Sequence, residues 1–117
     1  MKQFAAVIAC VLFAGVATFA AGPEQDKKVE AGQAAYTTLK CGTCHAIKGA
    51  GGKLASALDG VATKLSAADI KKWLADPAAM EAKLEKKPKM LMSASLKTKK
   101  ISPEDMEGLL AYMATLK

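Results

Sequence analysis

The sequence predicts an all-α fold of about four short helices, and three observations lead there. Apolar residues recur at helical spacing in separate stretches, most of them opened by a cap-forming residue. No strand-like run occurs after the apolar N-terminal segment. Between the first helical stretch and the others lies Cys41-Gly42-Thr43-Cys44-His45, which gives the helices something to be arranged around.

The chain opens with Lys2, an apolar stretch from Phe4 to Ala21 and the turn-like Gly22-Pro23, the three-part layout of a secretory signal peptide. Thr18 and Ala20 are small enough to suit cleavage near Ala20 or Ala21, whereas a cut after Gly22 would leave Pro23 next to it. An uncleaved anchor is the alternative, but the stretch is slightly short for a spanning helix of about 20 apolar residues. Val7-Ile8-Ala9-Cys10 faintly resembles a lipoprotein site and is discounted, because too little apolar sequence precedes it and too much follows. The expected division is a signal peptide at 1–21 and one domain at 22–117. A domain of that size has a thin core and often needs a staple or a cofactor.

From Asp26 to Lys40, Val29, Gly32, Tyr36 and Leu39 fall on one helical face. Gly32 carries no side chain, so another helix can come close there. This helix runs straight into Cys41. The pattern C-x-x-C-H reads as a c-type haem attachment site. Two thiols on one tight turn reach the two vinyl groups of a single haem and form thioethers, and the next residue aims an imidazole at the iron. His45 is the only histidine in the chain, so it is the expected proximal ligand. Three other readings exist. A structural disulfide Cys41–Cys44 leaves His45 unexplained. A thioredoxin-like pair requires a βαβ setting, and a zinc site requires further ligands, usually a second pair.

Ala46 to Gly60 is glycine-rich and reads as a flexible loop over the proximal side of the haem. Gly49-Ala50-Gly51-Gly52-Lys53 looks superficially like a phosphate loop but lacks the following Ser or Thr and the preceding strand. Ser66-Ala67-Ala68-Asp69 is a capping-box-like start followed by Ile70, Trp73 and Leu74 on one face. Trp73 reads first as core, which in so small a chain is nearly the same place as a haem wall. Asp76-Pro77 ends that helix and starts another, with Met80 and Leu84 sharing a face. Lys86 to Ser93 breaks the periodicity, and Pro88 forbids a regular helix through it. The last helix opens at Ser102-Pro103-Glu104-Asp105 and carries the stripe Met106, Leu109, Leu110, Met113 and Leu116. Tyr112 beside that stripe is placed to meet Gly32 and Tyr36.

The formal net charge is +6, and all 17 basic residues are lysines. Nucleic-acid readers usually mix arginine and stacking aromatics into such a surface, and aromatics are only 5% here. A lysine surface instead keeps a protein soluble and steers it toward acidic partners.

Taken together these residues resemble the class I c-type cytochromes, small soluble single-haem electron carriers of bacterial envelopes. The resemblance covers nearly all of the chain after the leader: the glycine and aromatic before Cys-x-x-Cys-His, the loop ending Ala57-Leu58-Asp59-Gly60, Trp73, a methionine loop, and Leu109 and Tyr112. It implies a cytochrome c-like fold wrapped around one covalent haem c on Cys41 and Cys44. Many relatives have Gly-Pro where Ala55-Ser56 stand, and there a backbone carbonyl holds the proximal imidazole through Nδ1–H; Ser56 keeps the carbonyl without the rigidity of proline.

The resemblance further implies a methionine as sixth ligand. Met106 and Met113 read as core, and Met80 belongs to a helix face with Leu84. Met90 and Met92 remain, both in an irregular loop. Met92, nine residues ahead of Ile101, fits the family's offset and is favoured; Met90, after Pro88-Lys89, fits a Pro-x-Met variant.

The expected function is therefore a periplasmic one-electron carrier with His/Met ligation, and not an enzyme. No Ser/His/Asp or Cys/His pair remains for acid–base work. The alternative is a haem enzyme or gas sensor with an open or labile sixth position. Lys83, Lys86, Lys87, Lys89, Lys97, Lys99 and Lys100 flank the methionine loop and suit docking to a redox protein with an acidic surface. Nucleic-acid binding is not expected, nor stable membrane insertion once the leader is cut.

Overall fold

The computed structural model describes residues 22–117, so the expected leader at 1–21 lies outside the described residues. In chain order these form helix α1 (Pro23–Thr38), a 3₁₀ turn at Cys41–Thr43, strands β1 (Ala46–Ile47) and β2 (Ala50–Gly51), and helices α2 (Val61–Lys64), α3 (Ala67–Ala75), α4 (Pro77–Glu81), α5 (Met92–Leu96) and α6 (Pro103–Ala114). The all-α expectation holds. Six α-helical segments stand among the described residues in place of about four, because α2 lies between the glycine-rich stretch and Ser66, and α5 starts at the end of the stretch that breaks the periodicity.

Helix α1 begins at Pro23 rather than Asp26, since proline at the first helical position has a suitable fixed φ and its missing N–H is not needed. Helices α3, α4 and α6 start where their caps predict. Ser66 Oγ accepts from the Asp69 N–H at 3.1 Å, Asp76 Oδ1 from Ala79 at 3.1 Å and Ser102 Oγ from Asp105 at 3.0 Å. Each bond satisfies a backbone donor the helix leaves over and is worth about 1 kcal/mol.

The principal packing is α1 against α6. A Cβ on Gly32 would run into the Gly108 carbonyl and lie 2.7 Å from the Tyr112 Cβ, while one on Gly108 would lie 2.8 Å from the Gly32 nitrogen. The two helices thus meet backbone to backbone. One turn further on, the rings of Tyr36 and Tyr112 pack edge to face at 5.9 Å and 79°, a geometry that aligns ring edge with ring face. Two apolar clusters flank this contact. Ala35, Leu39 and Leu109 form one, joined by Tyr36, Cys41, Leu74 and Ile101. Ile70, Met113 and Leu116 form the other, joined by residues that include Ile47, Leu58, Val61 and Leu65.

Three local expectations are corrected. The glycine-rich segment contains a small antiparallel ladder pairing Ala46 with Gly51 and Ile47 with Ala50, because Lys48 (φ 51°) and Gly49 (φ 79°) both take the left-handed backbone that a tight hairpin turn requires. Leu84 is outside α4 and exposed, so it shares no helix face with Met80. Met92 is not in irregular loop: it is the first residue of α5.

Candidate functional site

Helix α1 delivers the chain to the motif. Leu39, buried just past its end, caps it with an N–H that closes on the Ala35 carbonyl at 2.8 Å. Lys40 then adopts φ 58°, ψ 36°, a left-handed turn that costs a residue with a Cβ about 1 kcal/mol. The reversal starts the 3₁₀ turn, in which Cys44 and His45 both donate to the Cys41 carbonyl, at 3.2 and 3.0 Å. Two thiols and one imidazole are thereby carried on a single turn of backbone.

Cys41, Cys44 and His45 are all half-buried, and both thiols are free. Cys41 packs against the Ala35–Leu39–Leu109 cluster. Burial pushes its thiol above the usual range, against the opposing pull of the nearby Lys99 ammonium, so Cys41 is held as the neutral thiol.

The following segment is bound to the turn strand by strand. Gly52 N–H donates to the Gly42 carbonyl at 2.8 Å, Ala55 to Cys44 at 2.9 Å and Leu58 to Ala46 at 2.9 Å. The expected flexible loop is a hydrogen-bonded wrap. A Cβ on Gly52 would strike the Thr43 carbonyl, so only glycine lets the wrap close so tightly. The wrap also brings the Ser56 carbonyl to 2.7 Å from His45 Nδ1. A carbonyl can only accept, so the proton is on Nδ1 and the Nε2 lone pair is free for a metal. Serine in place of the relatives' proline leaves this bond intact. Helix α1 adds a second tie, since Tyr36 Oη donates to the His45 backbone carbonyl at 3.0 Å.

The methionines come from elsewhere. Met92 is half-buried at the start of α5, which docks on α4; Met90 precedes it and is 50% exposed. Neither belongs to the clusters against which the turn packs. Met80 and Met106 are half-buried and Met113 is buried. Trp73 is half-buried and lies outside both clusters, so it is not simple core. A cavity of about 720 Å³ opens between α3, α4, α5 and the start of α6, with Leu74, Ser93, Leu96, Lys99, Ile101 and Met106 on its walls. Leu74 and Ile101 also belong to the cluster that holds Cys41, so the cavity borders that cluster. Its volume is in the range of cofactor pockets.

Two polar groups carry weight that sequence reading missed. Glu81 is buried, with both carboxylate oxygens bonded to Ser93; no periodicity signals this, since its partner lies across a loop. Lys99 donates to the Leu39 carbonyl at 2.6 Å, tying down the end of α1. Among the described residues no group of three or more His, Cys, Asp or Glu side chains is placed to hold a metal, which leaves the zinc reading without a ligand set. No described helix is long and apolar enough to cross a membrane.

A short helical chain that presents two thiols and an Nδ1-tethered imidazole on one turn belongs to the class of haem-attachment proteins. The model of the cytochrome c family matches residues 29–117, and the chain belongs to that family. Neither the curated proteins nor the solved structures yield a match. Membership brings a covalently bound c-type haem and a general role as a haem-binding electron carrier. The residues present fit such a group: the thiols are unpaired, Nε2 is unencumbered, and a cavity of mixed apolar and polar lining shares Leu74 and Ile101 with the cluster that holds Cys41.

Proposed function

We propose that this protein is a periplasmic one-electron carrier, not an enzyme, whose haem is attached through Cys41 and Cys44 and held axially by His45 and a methionine, Met92 in preference to Met90. The observation that carries this reading is the 2.7 Å contact between His45 Nδ1 and the Ser56 carbonyl, which fixes the tautomer and direction of the imidazole. When bound, haem supplies the ferric/ferrous couple. The chain's own contribution is to orient. The Cys41–His45 turn carries the points of attachment, and the wrap from Gly51 to Leu58 braces the imidazole.

Met92 is favoured over Met90 on two grounds. It begins a helix and is half-buried, whereas Met90 stands in the exposed segment 82–91. Thioether sulfur is a neutral soft donor that favours ferrous iron and raises the potential relative to paired histidines. With both axial places filled, no site is left for a substrate, which supports the carrier over the enzyme or gas sensor. The leader pattern at 1–21 supports export, and the lysines at 83, 86, 87, 89, 97 and 100 support docking to an acidic redox protein.

The test is a visible spectrum of protein matured in a host that ligates haem. The sulfur-to-iron charge-transfer band is expected in the oxidised form and is expected to vanish in Met92→Ala. Loss only in Met90→Ala would move the ligand and leave the carrier. Immediate binding of cyanide or carbon monoxide by the wild type would overturn the carrier reading.

A further inference from the structure

Glu81 is the one charged side chain among the described buried residues, with 4% of its surface exposed. It is the last residue of α4, a segment fixed at its other end by Pro77 and the Asp76 cap. One carboxylate oxygen accepts from the Ser93 N–H at 2.9 Å and the other from the Ser93 hydroxyl at 2.6 Å. Both oxygens are thus spent on the neighbour of Met92.

The path between the two residues explains why this matters. Residues 82–91 are exposed throughout. From Glu85 to Leu91 no backbone N–H has a protein acceptor among the described hydrogen bonds. Helix α5 has only five residues and no side-chain cap of its own at Leu91. A segment with so little internal support has low local stability. Its far end is held by the Glu81 carboxylate, which accepts two hydrogen bonds of the charge-assisted kind, roughly twice as strong as neutral ones. Burying a carboxylate is costly unless it is fully bonded, so an apolar residue would be the simpler choice if only packing were needed.

We infer that Glu81 is a positioning residue for the axial methionine: through Ser93 it fixes where α5 begins, and α5 begins at Met92. The inference rests on the reading of Met92 as the sixth ligand.

The test compares oxidised holoproteins by their charge-transfer band and by the rate at which cyanide displaces the methionine. Glu81→Ala removes both acceptors and is expected to weaken the band and speed cyanide binding about tenfold, the scale of one lost charged hydrogen bond. Glu81→Gln keeps an acceptor for the Ser93 N–H and can donate to its hydroxyl, so it is expected to restore much of the wild-type rate. Ser93→Ala, which removes one bond and no charge, is expected to fall between and serves if Glu81→Ala does not accumulate. A variant that loses thermal stability while its band and cyanide rate stay at wild-type values overturns the positioning role. Met92→Ala separates the two readings: if the band survives there, the ligand assignment and this inference both fall, whereas its loss there with no effect at Glu81 and Ser93 removes this inference alone.

Discussion

The Tyr36 hydroxyl donates to the backbone carbonyl of His45 at 3.0 Å. Helix α1 therefore grips the expected proximal ligand directly, through its backbone. The ring stays in place through its edge-to-face contact with Tyr112, so Tyr36→Phe tests the hydroxyl alone. A loss of about 1 kcal/mol is expected, the net worth of a neutral hydrogen bond. Urea denaturation of the holoprotein measures it, and an unchanged midpoint would show that the bond contributes nothing.

The Gly32–Gly108 crossing makes a second prediction. In Gly32→Ala the new methyl collides with backbone, which cannot rotate away as a side chain would. A destabilisation of about 3 kcal/mol is expected, at the upper end of the overpacking range. Gly108→Ala meets the Gly32 nitrogen at 2.8 Å and should behave alike. Thermal melts that match wild type would mean the helices are not held this close.

The acid limb of stability should depend on Glu81. Burial pushes its carboxyl up, but the two hydrogen bonds from Ser93, the nearby Met92 N–H and the field of Lys87 together outweigh it and hold the value below normal. A group depressed in the folded state adds stability above its unfolded value, and that stability is lost as pH falls through the folded one. Wild type should therefore lose more stability than Glu81→Gln between neutral pH and the acid side of the ordinary glutamate range, near about 4.3. Denaturation curves that fall in parallel would contradict this.

The lysines around the methionine segment should separate into two kinds. Lys99 is committed to the Leu39 carbonyl, so Lys99→Met is expected to cost about 1.5–3 kcal/mol. Lys86 and Lys89 are exposed, and their removal should leave stability within about 0.5 kcal/mol while slowing transfer to an acidic redox protein at low salt. Stopped-flow rates across ionic strength measure the latter, because exposed charges are screened over about 10 Å at 0.1 M; a flat response would remove electrostatic docking.

Much of this was legible in the residues. Ser66, Asp76 and Ser102 announced their helices because an N-cap is a local bond, decided within three residues. Gly32 facing Tyr112 was legible because a missing side chain on a helical face has few other uses. The hairpin at Lys48-Gly49 was not, since two-residue strands are too short to show alternation and lysine is an unusual occupant of left-handed backbone. Helix α5 was hidden because its support comes from Glu81 across the loop. The Tyr36 hydroxyl was missed for the same reason: the ring could be read from its spacing, but the bond depends on how the next turn folds back.

The backbone contact of Gly32 with Gly108 joins the two ends of the described chain, so it forms only when nearly every residue between them is available. During synthesis the cysteines emerge well before α6, and the thiols spend that interval without their C-terminal buttress. Thioether formation has an open substrate in that interval, and closure of the last helix then seals Cys41 into the cluster of Ala35, Leu39 and Leu109. A chain cut short of Gly108 should accept haem and fail to hold it rigidly.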